Sequence, residues 1–241
     1  MTMFADSGSY DQALTVFSPD GRQYQVEYAL EVVKRGATVL GIACPEGVVL
    51  AADTRPFSPL QDFDSAWKLF QVDDHIGVAI SGLSADARIL VDQARLFAQT
   101  NRLTYDVPIT VNVLVHQVAE IITQYTQYGG VRPFGVSMIF GGIDQHGSNL
   151  LQTDPSGATW KYHAIAIGSD SETVNARLKA EMTPHLTLDQ SIQLAIDCLA
   201  HVIEGTIKTK SITIITIPQV TAHFTTLSDS EVSRYIENRR S

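Results

Sequence analysis

The chain has 241 residues, 44% of them hydrophobic, with 17 Lys plus Arg against 26 Asp plus Glu for a formal charge of -9. The acidic balance argues against general binding to a phosphate backbone, and the apolar content at this length suffices for one large core. Only Cys44 and Cys198 are present, both in apolar stretches, so two buried thiols in a reducing compartment are expected instead of a disulfide framework or a cysteine zinc site.

Residues 1–12 are expected to form a small, polar, flexible tail, and TVFSPDGR, residues 15–22, reads as a turn. Tyr24, Val26, Leu30 and Val33 follow at nearly helical spacing between charged residues. That pattern predicts a helix over 22–34, with Gly36 suited to cap its C-terminus. TVLGIAC and GVVLAAD flank Pro45-Glu46-Gly47 as one hairpin, and WKLFQV and HIGVAIS flank Asp73-Asp74 as a second. These four strands are expected to form a mostly antiparallel sheet.

From Ser84 the period changes. Ala87, Leu90, Val91, Ala94 and Ala98, and then Val111, Leu114, Val118, Ile121, Ile122 and Tyr125, mark two long helices. Strands return at GVSMIFGGID, SNLLQTD, TWKYHAIAI and SITIITI, with helices expected at about 170–182 and 187–204 and a short polar helix in SDSEVSRYIENRR. Blocks of strands separated by pairs of helices predict an α+β fold in which two antiparallel sheets pack face to face with helices outside, a four-layer αββα sandwich. It is expected as a single domain over 37–241, preceded by a turn and added N-terminal helix over 13–36 and the tail at 1–12. The N-terminus lacks a signal-peptide pattern and no run reaches the roughly 18 apolar residues of a membrane helix, so a soluble cytoplasmic protein is expected.

The common catalytic signatures GxSxG, GxxxxGK[ST], GxGxxG and HExxH are absent, and seven histidines are scattered without ligand spacing. The glycine-rich GGVRPFG, residues 129–135, follows a helix instead of preceding one, which disfavours a phosphate loop. What remains is Gly36-Ala37-Thr38 together with Asp53 and Lys68. Taken alone, Asp53 reads as a strand-end residue capping its turn, and Lys68 as a solvated lysine near a sheet edge.

FSPDGRQYQVEYA closely resembles the N-terminal signature of proteasome α-type subunits, and YDQALTVFSPDG, SGLSADARILVDQAR and QYTQYGGVRPFGVSMIFGGID continue the match in order and spacing. The similarity spans at least residues 10–217 and has an archaeal look. It implies the N-terminal-nucleophile hydrolase fold, which β-type subunits use to cut peptides with a threonine freed after a glycine, its own amine acting as base. Here the residue after Gly36 is Ala37, which has no hydroxyl, so no catalytic residue is expected. Asp53 and Lys68 match the positions of the β-type carboxylate and lysine, but without a nucleophile they form no acyl intermediate. A nucleophile moved to Thr38 would point to the opposite face of its strand.

The resemblance further implies a non-catalytic ring subunit of a 20S core, with neither cofactor nor metal. Its expected partners are other α subunits in a seven-membered ring, proteasome β subunits, an AAA+ ATPase activator docking through its C-terminal tails, and unfolded protein in transit. Nucleic acid and membrane are not expected partners. Lys68, Gly36, Gly82 and Leu83 match a pocket for the activator's terminal carboxylate, with Trp67 departing from the acidic residue expected beside the lysine. Tyr10, Asp11, Pro19 and Tyr28 match the cluster that holds the entry gate, Tyr128, Gly129 and Gly130 match the loop that forms the pore, and the N-terminal helix is expected to cover the cleft. The alternatives are a self-processed threonine hydrolase, disfavoured by Ala37, and an unrelated small-molecule-binding protein of the same fold.

Overall fold

The computed structural model describes residues 15–56, 58, 60, 67–203 and 209–238. Two five-stranded antiparallel sheets form its centre. The first has the order β10-β9-β2-β1-β8, using β1 (Val39–Cys44), β2 (Gly47–Asp53), β8 (Ala164–Ile167), β9 (Ile212–Pro218) and β10 (Thr225–Thr226). The second runs β3-β4-β5-β6-β7, from β3 (Leu69–Asp73), β4 (Ile76–Gly82), β5 (Val136–Asp144), β6 (Gly147–Thr153) and β7 (Thr159–Lys161).

Three apolar cores separate four layers, as the order of elements predicted. Between the sheets lie Val39, Val48 and Leu50 facing Ala79, Ile139 and Leu150. Leu40 and Ile42 point the other way, against α4 (Ser171–Glu181) and α5 (Leu188–Val202). Met138 and Phe140 face α2 (Ser84–Tyr105) and α3 (Val111–Gln127). Because both faces of each sheet are covered, β1 and β2 are buried at every position and show no polar alternation.

Two strand assignments need correction. The first and second hairpins do not share a sheet, since β1–β2 belongs to one layer and β3–β4 to the other. TWKYHAIAI is also not one strand: β7 pairs with β6 in the second sheet, whereas β8 pairs with β1 in the first, and the chain crosses between them at Tyr162 and His163. Apolar content and spacing within a run mark a strand but not the sheet it will join.

The N-terminal helix α1 (Tyr24–Lys34) buries Val26, Ala29 and Val33 against β4 and β5. A turn closes ahead of it, with the Gly21 amide donating to the Ser18 carbonyl at 2.8 Å, and the Gln23 side chain anchors its start to the Thr126 carbonyl at 2.9 Å. The last helix, α6 (Asp229–Asn238), is polar outside but buries Val232 and Tyr235, whose hydroxyl donates to Asp189 at the start of α5. Both cysteines are buried free thiols, and burial pushes Cys198 up to about 12. Among the described residues no helix is long and apolar enough to cross a membrane.

Candidate functional site

Antiparallel pairing brings the start of β1, the end of β2, the end of β4 and the start of β5 to one end of the sandwich. Gly36, Thr38, Asp53, Lys68, Gly82 and Leu83 therefore meet there although 47 positions separate the first from the last. The Ser81 hydroxyl of β4 ties this end to the segment entering β1, donating to the carbonyls of Val33 at 3.2 Å and Ala37 at 3.0 Å. A Cβ on Gly36 would lie 2.4 Å from the Gly82 amide nitrogen, and one on Gly82, whose φ is +112°, 2.2 Å from the Gly135 carbonyl oxygen. Only glycine permits this approach. Gly36 serves it through close packing and not as a left-handed cap, since its φ is not positive.

Two polar clusters occupy this end. The first surrounds Thr38, which is 1% exposed. Its hydroxyl donates to Asp170 Oδ2 at 3.1 Å, accepts from the Asp170 amide at 3.0 Å and lies 3.3 Å from Ser169 Oγ. Strand alternation explains the placement. Thr38 shares a face with Leu40 and Ile42 toward the helices, while Val39 faces the opposite sheet. At the end of β2, Asp53 accepts from the Arg55 amide at 3.0 Å and from the Arg55 guanidinium at 2.8 to 3.1 Å, which is a turn-capping arrangement.

The second cluster surrounds Lys68. Its carbonyl accepts from the Ile80 amide at 2.9 Å, extending the β3–β4 ladder by one residue. Phe70, two positions on, packs on the helix-side core, and Lys68 shares that face. Its side chain thus runs beneath the N-terminus of α2, with Nζ donating to Ser84 Oγ at 3.4 Å. It is 7% exposed, not solvated, and among the described residues it forms no ion pair. Burial lowers its pKa from the ordinary lysine value.

The α2 N-terminus above it is preceded by Leu83, which offers no side-chain cap. First-turn amides have no intrahelical acceptor, and the helix dipole places positive charge on them. A buried ammonium and an uncapped helix start therefore converge, each favouring an anion between them. Leu83 and Trp67 are exposed beside it, and Trp67 leans on Phe70 at a ring separation of 6.3 Å.

Sequence reasoning missed the residues behind the rim. Asp86, buried in the first turn of α2, accepts from Arg132 at 2.6 and 2.8 Å and from the Gly135 amide at 2.9 Å. Burial alone would raise its pKa, yet the Arg132 hydrogen bonds, the Gly135 amide and the Arg132 charge together hold it below the ordinary aspartate range. A signal was present: Asp86 lies on the apolar stripe of α2, one turn from Leu90. A charged residue on a buried stripe requires a partner.

Tyr128 ends α3 and is exposed, and Gly129 and Gly130 project into open space, with Gly130 at a φ of +90°. Tyr28 is exposed on α1 and Pro19 is exposed in the turn before it. Tyr10 and Asp11 lie outside the described residues.

The family model for proteasome subunits matches residues 33–217, and that for the N-terminal signature of A-type proteasome subunits matches residues 10–31. The second match decides between the two classes that share this fold. The chain is an α-type member of the proteasome subunit family. It is 45% identical to the proteasome alpha subunit of Methanothermobacter thermautotrophicus over 231 residues, covering 96% of this chain and 93% of that one. The corresponding figures are 48% over 229 residues for the proteasome alpha subunit of Methanocaldococcus jannaschii, covering 95% and 87%. For the proteasome alpha subunit 1 of Haloferax volcanii they are 44% over 233 residues, covering 97% and 92%. The family accounts for the αββα sandwich with its added helix and assigns the chain to the 20S core, to protein degradation and to assembly with other proteasome subunits.

Proposed function

We propose that this chain is a non-catalytic ring subunit of a cytoplasmic threonine-type endopeptidase complex, built with other α subunits in a seven-membered ring and stacked on β subunits. It gates the entry of unfolded protein and receives the C-terminal tails of an AAA+ ATPase activator. The observation that carries this reading is the buried Lys68 ammonium, without a carboxylate partner among the described residues, under the uncapped start of α2. A peptide's terminal carboxylate satisfies both, as a charge-assisted acceptor for Lys68 and as an anion at the helix start.

The absence of catalysis is supported by Ala37, which has no hydroxyl, and by Thr38, whose hydroxyl is buried and engaged with Asp170. Assembly is supported by the outer face of α2, where Ile89, Leu96 and Leu103 recur at heptad spacing and remain exposed, Leu103 to 88%. Large apolar side chains left exposed along one side of a surface helix suit a protein contact.

In the assembled particle, Lys68→Ala is expected to abolish activator-stimulated protein degradation while small-peptide hydrolysis persists. Unchanged stimulation overturns the pocket assignment. For the gate formed by Tyr10, Asp11, Pro19 and Tyr28, deleting residues 1–12 is expected to raise basal hydrolysis of long peptides, and no rise removes the gating tail.

A further inference from the structure

The loop that runs from Tyr128 to Gly135 passes from full exposure to full burial within a few residues. Tyr128, Gly129 and Gly130 are exposed, while Pro133, Phe134 and Gly135 are buried. At the buried end, Gly135 is bonded on both sides: its amide donates to Asp86 Oδ2 at 2.9 Å and its carbonyl accepts from the Leu83 amide at 2.9 Å. Midway, Arg132 donates to both oxygens of Asp86. Phe134 meets Tyr125 of α3 at a ring separation of 4.4 Å.

One carboxylate thus accepts from the loop at two places, and it stands on the same helical turn as Ser84, the residue that Lys68 Nζ touches. We propose that Asp86 is a positioning residue that holds the Tyr128–Gly130 loop and the Gly82–Leu83 rim as one body, with Arg132 fixing the loop and the Gly135 amide fixing the rim. This rests on the reading of that rim as a carboxylate pocket. The two attachments are chemically separable. Asparagine at position 86 keeps one oxygen for the Gly135 amide and Arg132 Nη1, but it turns an NH2 toward Arg132 Nη2 and removes the negative charge, which loosens Arg132. Alanine removes both attachments and leaves the Gly135 amide without an acceptor.

The test uses assembled particles carrying a nitroxide on Tyr128→Cys, diluted with unlabelled chains. Cys44 and Cys198 are 3% and 0% exposed, so within this chain labelling, done before assembly, is selective for position 128. Tail binding is read in the same particles with a fluorescent peptide copying the C-terminus of the activating ATPase, its C-terminal amide serving as control. Asp86→Asn is expected to at least double the mobile fraction of the label while leaving peptide affinity within twofold. Asp86→Ala is expected to mobilise the label at least as much and to weaken the peptide about tenfold, the size of one unsatisfied buried amide.

Arg132→Gln is expected to reproduce Asp86→Asn. A label unchanged in assembled Asp86→Asn particles overturns the proposal. So does a label that moves only where assembly or the melting temperature also collapses, because that describes a purely structural pair. Lys68→Ala separates the two readings: equal peptide binding by Lys68→Ala removes the pocket, while the response of the label to Asp86→Asn still decides the loop attachment.

Discussion

Thr38 and Lys68 are both buried at the same end of the sandwich, but their polar groups are in opposite states. The Thr38 hydroxyl is engaged both ways, donating to the Asp170 carboxylate and accepting from the Asp170 amide. Among the described residues Lys68 has one long contact to a serine, and its burial pulls its pKa down without a compensating charge. A saturated group contributes to stability and has nothing to offer a ligand, whereas an unsaturated buried charge costs stability and favours whatever completes it. The contrast supports the proposed division of roles, structural for Thr38 and binding for Lys68.

Substitutions can break this comparison in order of effect. The largest is expected from Lys68→Ala, with loss of activator-stimulated degradation, against Thr38→Val, where stimulation persists; a loss in both variants would erase the distinction. Thr38→Val should instead lower stability by about 1–2 kcal/mol, because it leaves the Asp170 amide and one carboxylate position without a partner. For a chain of this length that is a drop of roughly 2–4 °C in Tm per kcal/mol, read by thermal unfolding.

The smallest effect has the opposite sign. Lys68→Met is expected to raise Tm by a few degrees at neutral pH, because it removes a charge whose burial opposes folding. The folded-state pKa of Lys68 lies below its unfolded value of 10.5, so the penalty is fully present below the folded pKa and disappears as pH rises toward 10.5. The advantage of methionine should fade over that window. A constant advantage at all pH values would mean that packing and not charge is responsible.

The helices were legible because their apolar spacing is written within each segment. Ala87, Leu90, Val91 and Ala94 announce α2 without reference to any other part of the chain, and Val39 to Cys44 announce a buried strand in the same way. The membership of the two sheets was not legible. Ala164–Ile167 reads like a continuation of Thr159–Lys161 until the chain crosses layers between them. The site was half legible. Lys68 could be singled out, but its burial depends on α2 lying over it, and the Asp86–Arg132 pair joins residues 46 positions apart.

Adjacent side chains by themselves specified the helices, most of the strands, the amphipathic helix ahead of the first strand and the alanine at position 37. Tertiary structure alone decided which hairpin joined which sheet, that the Thr38 hydroxyl is engaged while among the described residues Lys68 Nζ meets only Ser84, and that Asp86 is shared between a loop and a rim. These depend on burial and on hydrogen-bond partners supplied from distant segments, and a buried polar group acquires its energetic meaning only when the chain has closed around it.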